Sequence, residues 1–107
     1  MQHIVTSAGR IEQRLRSAWF GTTFHRAVVD FTHLLETVHR QDGRNSSGDI
    51  EALGAVADHV VELIETRLDR HHDRQSVRRD LAGAVYAIRR EVERIHTASK
   101  EVSWRDM

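Results

Sequence analysis

Apolar residues recur along almost the whole chain at alternating spacings of four and three, which is typical of amphipathic α-helices packed together. The first stripe is Ile4, Ala8, Ile11, Leu15 and Ala18. The second is Phe20, Phe24, Ala27, Phe31, Leu34 and Val38, widened by Val28 and Leu35. The third is Ile50, Leu53, Ala57, Val60, Ile64 and Leu68, and the fourth is Val77, Leu81, Val85, Ile88, Val92 and Ile95. Proline, which ends helices, is absent. The pattern predicts an all-α fold.

Interruptions of the stripes predict where the helices end. The stripe changes phase around Trp19–Gly21, and glycine weakens a helix, so we expect the first helix to be broken or kinked near Gly21. Residues 41–48 read QDGRNSSG and contain no apolar residue, which predicts a loop. Residues 101–107 are expected to pack on the bundle or to fray. The 107 residues therefore form one domain, an antiparallel bundle of three to four helices.

The polar segment 69–76, DRHHDRQS, allows two interpretations. It reads as a tight turn between the third and fourth helices. However, the heptad phase continues through Arg67, His71, Arg74 and Arg78, so residues 49–100 would also fit one long helix completed by dimerisation. Polar residues at four successive seam positions favour the turn.

Composition limits the classes of partner. The 16 basic and 16 acidic side chains balance, so no global positive charge favours nucleic acid, which would have to contact Arg70, Arg74, Arg78 and Arg79. No apolar run is long enough to span a membrane, and the N-terminus lacks the pattern of a signal peptide. Cysteine is absent, which excludes disulfides and thiolate-bound cofactors. We expect a cytoplasmic protein without a cofactor, and the near-exclusive use of arginine over lysine suggests a bacterial source.

Glu93 and His96 form an E-x-x-H pair, the spacing that supplies metal ligands inside di-iron helix bundles. Such ligands must point into the bundle core. His96 flanks the apolar stripe at Ile95 rather than lying on it, which places the pair at a boundary or outside. We therefore expect no metal, with Glu93 and His96 as the alternative ligands.

The spacing Arg67-x-x-x-x-His72 resembles that of the HEPN ribonucleases, all-α proteins of similar size that often act as toxins. The resemblance is confined to these two residues. It implies that His72 acts as the acid–base group and that Arg67 stabilises phosphate charge. Leu68 stands where that family commonly has a polar residue.

Four wide apolar stripes supply more apolar surface than a small bundle easily hides. We therefore predict a non-enzymatic helical protein–protein interaction or regulatory module, which associates with itself as a dimer or larger oligomer or binds another helical protein. The small residues Ala82–Ala84 and Ala87 would let another helix approach closely. The predicted interaction residues are Trp19, Phe20, Phe24, Phe31 and Trp104. The alternative function is a HEPN-like ribonuclease that uses Arg67 and His72.

Overall fold

The chain forms four α-helices in the computed structural model: α1 (Gln2–Ser17), α2 (Thr22–Arg40), α3 (Ser47–Arg70) and α4 (Gln75–Arg105). The structure describes residues 2–17, 22–40, 47–70 and 72–105, and the side chains of residues 5–17, 23–40, 48–70 and 72–98. No strand occurs among these residues. The prediction of an all-α bundle of three to four helices is confirmed, with four helices in the described part of the chain.

The helix boundaries can be compared with the predicted interruptions. α1 ends at Ser17 and α2 begins at Thr22, while the predicted break at Gly21 lies outside the described residues. Within the predicted loop 41–48, residues 41–46 are likewise undescribed, and Ser47 and Gly48 belong to the first turn of α3. Of the predicted tail 101–107, residues 101–105 belong to α4 and residues 106–107 lie outside the described part.

The polar segment between the third and fourth stripes contains a turn. α3 ends at Arg70, α4 begins at Gln75, and residues 72–74 are not helical. The alternative of one continuous helix over residues 49–100 is therefore wrong. The two helices run antiparallel, since Arg89 of α4 contacts Glu65 of α3 while Arg78 reaches the carbonyl of Leu68.

Each helix has two close neighbours, because α1 and α4 both pack against α2 and α3. The α1/α4 and α2/α3 pairs therefore lie on the diagonals of the bundle. α2 and α4 run parallel, as shown by contacts of His25 with Asp80 near their starts and of His39 with Glu91 further along. The bundle measures 51 × 22 × 18 Å. Two antiparallel hairpins, α1–α2 and α3–α4, thus lie side by side with like-directed helices in contact.

The core consists of the apolar stripes of all four helices. Leu15 of α1, Phe31 of α2, Ile64 of α3 and Ile88 of α4 are completely buried. Burying side chains of this size stabilises the fold by about 1.5–3 kcal/mol each. On α2 the buried surface is broad, because one side of the helix packs against α1 and another against α4.

Among the described residues, no helix combines the length and the apolar character that a membrane crossing requires.

Candidate interaction surface

A groove runs along the outer side of the parallel helices α2 and α4. Its wider part has a volume of about 490 Å³. Val28 and Thr32 of α2 and Ala84 and Ala87 of α4 line this part. The two α4 residues are alanines, whose short side chains leave space between the helix axes. We call this surface, with the flanking residues described below, the α2/α4 groove.

The α2/α4 groove carries exposed apolar side chains. Val29 lines its wider part and is 39% exposed, and Tyr86 lines a second part of about 190 Å³ and is 69% exposed. Thr32 and Ala87 line both parts, so the two are continuous. These two are the large apolar residues that are exposed in the described part of the chain. Isolated exposed apolar residues are ordinary, but two beside one groove make this groove the candidate contact surface.

Charged residues flank the groove at both ends. At the end where α2 and α4 begin, Nε2 of His25 lies 3.9 Å from Oδ2 of Asp80, whose side chain is 63% exposed. Toward the other end, exposed Glu36 and Arg90 line the second part of the groove. Both signs of charge are therefore present on one surface, which lets it complement a partner that carries both signs.

The ion pairs between α2 and α4 also set the level of each residue along the groove. His25 lies level with Asp80, and Nδ1 of His39 lies 2.9 Å from Oε2 of Glu91. Between these two contacts, Val29 and Gly83 line the same part of the groove. Further along, Glu36 and Arg90 line the same part.

Gly83 leaves a gap in the α4 wall of the groove. A Cβ atom built on this residue has no atom within 4 Å apart from its chain neighbours and the nearby backbone of its own helix. Gly83 is therefore not required for packing inside the bundle, and the space above it is open. A side chain from outside is able to enter there.

The turn between α3 and α4 contains a buried charge. Arg67 is 6% exposed, and its Nε and Nη2 atoms each lie 3.0 Å from a carboxylate oxygen of Asp73. Its Cζ atom also lies 5.0 Å from the centre of the Phe24 ring. A second contact connects the two helices: Nη1 of Arg78 in α4 donates a hydrogen bond of 2.8 Å to the carbonyl oxygen of Leu68 in α3. These contacts close the turn.

This arrangement bears on the HEPN-like alternative. His72 is exposed, whereas the Arg67 guanidinium is buried and held by Asp73. A phosphate that used Arg67 would have to compete with this carboxylate for the same N–H groups. The arrangement therefore favours a structural role for Arg67 over a catalytic one, and the ribonuclease function stays a prediction.

The four arginines predicted to meet phosphates are not equivalent. Arg70 and Arg74 are exposed near the α3–α4 turn. Arg78 is half-buried and bonded to Leu68, and Arg79 lines the α2/α4 groove. The four therefore do not act as one uniform basic stripe, and nucleic-acid binding through them stays a prediction.

Glu93 and His96, the alternative metal ligands, are both exposed. Nε2 of His96 lies over Gly54 of α3, 3.7 Å from the place where a Cβ would be. Within the described part of the chain, no three histidine or acidic residues are grouped to hold a metal ion. The pair thus has no third protein ligand there.

The predicted interaction aromatics fall into two groups. Phe24 and Phe31 are 1% and 0% exposed, so these two are core residues and present no surface to a partner. The prediction that these two residues contact a partner is therefore wrong, although their position in the second stripe already placed them inside. The candidate interaction surface is the α2/α4 groove instead. The side chains of Trp19, Phe20 and Trp104 lie outside the described residues.

Sequence reasoning missed Val29 and Tyr86. A signal was present, because each is an apolar residue that lies off the stripe of its own helix. The small residues around Gly83 were a second signal.

Comparison of the chain with protein-family models, with curated proteins and with solved structures finds no match.

Proposed function

We propose that the chain is a non-enzymatic helical interaction module that associates with a second copy of itself through the α2/α4 groove. The observation that supports this most strongly is the exposure of the Tyr86 ring beside the groove. Covering the exposed part of such a ring removes roughly 100 Å² of apolar surface from water, which is worth about 2.5 kcal/mol per copy.

The size of the surface is compatible with a dimer. α2 has 19 residues and is about 28 Å long, and two packed helices present a surface about 20 Å wide. Two copies that pair over this surface bury roughly 1,100 Å² in total, just above the minimum of about 1,000 Å² for a specific interface. The expected dimer is weak and depends on concentration.

The mixed charge of the groove supports a second copy as the occupant. His25 and Asp80 lie at one end, and Glu36 and Arg90 lie toward the other. A surface that carries both signs is able to complement itself, whereas a surface of one sign repels its own copy. We further propose a bacterial source and a cytoplasmic location, as inferred from the composition.

The proposal is tested by sedimentation equilibrium from low to high micromolar concentration. The wild-type chain is expected to form a dimer, and Tyr86→Glu is expected to abolish it. Ala55→Glu is the matched control, since Ala55 is exposed on α3, which contributes no residue to the groove. A wild-type chain that stays monomeric, or equal dimerisation of the two variants, contradicts the proposal.

A further inference from the structure

We infer how the second copy is seated: the twofold axis runs parallel to the helices, so that α2 of each copy faces α4 of its partner. This inference rests on the proposed function. It adds the residue pairs that meet across the interface.

A twofold axis parallel to the bundle keeps every residue at its own height, so residues that are level within one chain face each other across the dimer. Val29 lies one turn after His25, and Gly83 lies about one turn after Asp80, so these two residues are level and Val29 faces the partner's Gly83. Glu36 lies about one turn before His39 and Arg90 directly precedes Glu91, and His39 contacts Glu91, so Glu36 faces the partner's Arg90. His25 lies level with Asp80 and therefore faces the partner's Asp80.

The shapes of the paired residues are complementary. Val29 is 39% exposed and projects from α2, while Gly83 has no side chain and open space above it. The branched side chain of Val29 therefore enters the gap over the partner's Gly83. This close approach brings the two helices near enough to cover Tyr86.

Charge distinguishes this seating from the antiparallel one. An axis perpendicular to the helices would place α4 against the partner's α4. The groove side of α4 carries three arginines, Arg79, Arg90 and Arg94, against two acids: exposed Asp80, and Glu91, which is largely buried and paired with Arg94. Contact between two α4 surfaces with an excess of arginine leaves Arg90 without a partner carboxylate at its own level, whereas the parallel seating pairs Arg90 with the partner's Glu36.

The test exchanges the charges of the Glu36–Arg90 pair in separate chains. In a dimer of the Glu36→Arg variant, the Arg90 of each copy faces the arginine at position 36 of the other copy. In a dimer of the Arg90→Glu variant, the Glu36 of each copy faces the glutamate at position 90 of the other copy. Each variant alone is expected to dimerise at least about tenfold more weakly than wild type, because two attractive pairs become repulsive.

Mixing the two variants restores opposite charges at both pairs of the parallel dimer. A one-to-one mixture is therefore expected to dimerise within about threefold of the wild-type dissociation constant. The antiparallel seating does not re-form these pairs, because it places residue 36 against α2 of the partner and residue 90 against α4; only the weaker, salt-screened attraction between oppositely charged chains remains. Since the chain has no cysteine, Ala55→Cys supplies one exposed site for fluorescent labels that report the mixed dimer by energy transfer.

The outcomes separate the inference from the proposed function. Recovery on mixing supports the parallel seating. A wild-type dimer that Tyr86→Glu abolishes, without recovery on mixing, overturns the seating and leaves the proposed function standing. A monomeric wild-type chain overturns both. Glu36 and Arg90 also lie near each other within one chain, so each substitution could change the stability of the monomer. Thermal unfolding of each variant at low concentration must therefore match wild type. Recovery in the mixture reports contacts between chains, because mixing changes no contact within a single chain.

Discussion

Arg67 and Asp73 form a two-pronged ion pair that ties the last turn of α3 to the residue two positions before α4. The Nε–Oδ2 and Nη2–Oδ1 distances are both 3.0 Å. The side chains are 7% and 18% exposed, so the charges are largely removed from water. A buried arginine needs such a counter-charge, because an unpaired buried ion is strongly destabilising.

Asp73→Asn is expected to lower the free energy of unfolding by about 3 kcal/mol, because it removes the negative charge that is bonded to both Nε and Nη2 of the buried Arg67 guanidinium. Urea unfolding followed by circular dichroism measures the change. Asp69→Asn is the control: Asp69 is exposed in the last turn of α3, and its replacement is expected to alter stability by at most about 0.5 kcal/mol. Equal losses in the two variants would show that the ion pair does not stabilise the turn.

The double variant Arg67→Met/Asp73→Ala is expected to be more stable than Asp73→Asn, although it lacks both charges. Replacement of a buried ion pair by apolar groups is often neutral, whereas removal of one partner leaves the other uncompensated. A double-mutant cycle with the single variants Arg67→Met and Asp73→Ala measures the coupling between the residues. Additive losses, with no coupling, would contradict the assignment of Asp73 as the partner of Arg67.

The turn between α3 and α4 was predictable from the sequence, but the ion pair that stabilises it was not. The polar seam positions predicted a break between the third and fourth stripes, and residues 72–74 confirm it. The continuing heptad phase through Arg67 was the basis of the long-helix alternative, which is wrong, and the burial of Arg67 was not predicted. What spacing did not reveal is the source of its counter-charge, because the contact with Asp73 exists only once the chain turns.

His72→Ala is expected to leave both stability and dimerisation unchanged, because His72 is exposed outside the α2/α4 groove. We also expect the purified wild-type chain to leave RNA intact, since the Arg67 guanidinium is already engaged by Asp73. Incubation with labelled RNA, followed by gel electrophoresis, tests this. Cleavage by wild type that His72→Ala abolishes would establish the HEPN-like function and refute the non-enzymatic one.

The core was more predictable than the surface. Spacings of four and three identify the side of each helix that faces inward, which is why Leu15, Ile64 and Ile88 were placed correctly. They do not say which helices are neighbours. The groove exists because α2 lies beside α4 rather than beside α3, and this arrangement depends on how the two hairpins pack together. The role proposed for Tyr86 depends on α2 being its neighbour.

Gly83→Gln and Gly9→Gln form a matched pair that separates helix stability from association. Both glycines lie within helices, and a Cβ at either position has no atom within 4 Å apart from its chain neighbours and the nearby backbone of its own helix. Each substitution is therefore expected to raise the free energy of unfolding of the monomer by about 0.5 kcal/mol through helix propensity alone. Gly83→Gln also fills the gap that receives the partner's Val29, so it is expected to weaken dimerisation at least about tenfold, the loss of about 1.4 kcal/mol of binding. The Gly9→Gln substitution, on α1 away from the groove, is expected to leave dimerisation unchanged. Urea unfolding at low concentration and sedimentation equilibrium measure the two effects. Equal dimerisation of both variants would mean that no partner approaches α4 at Gly83.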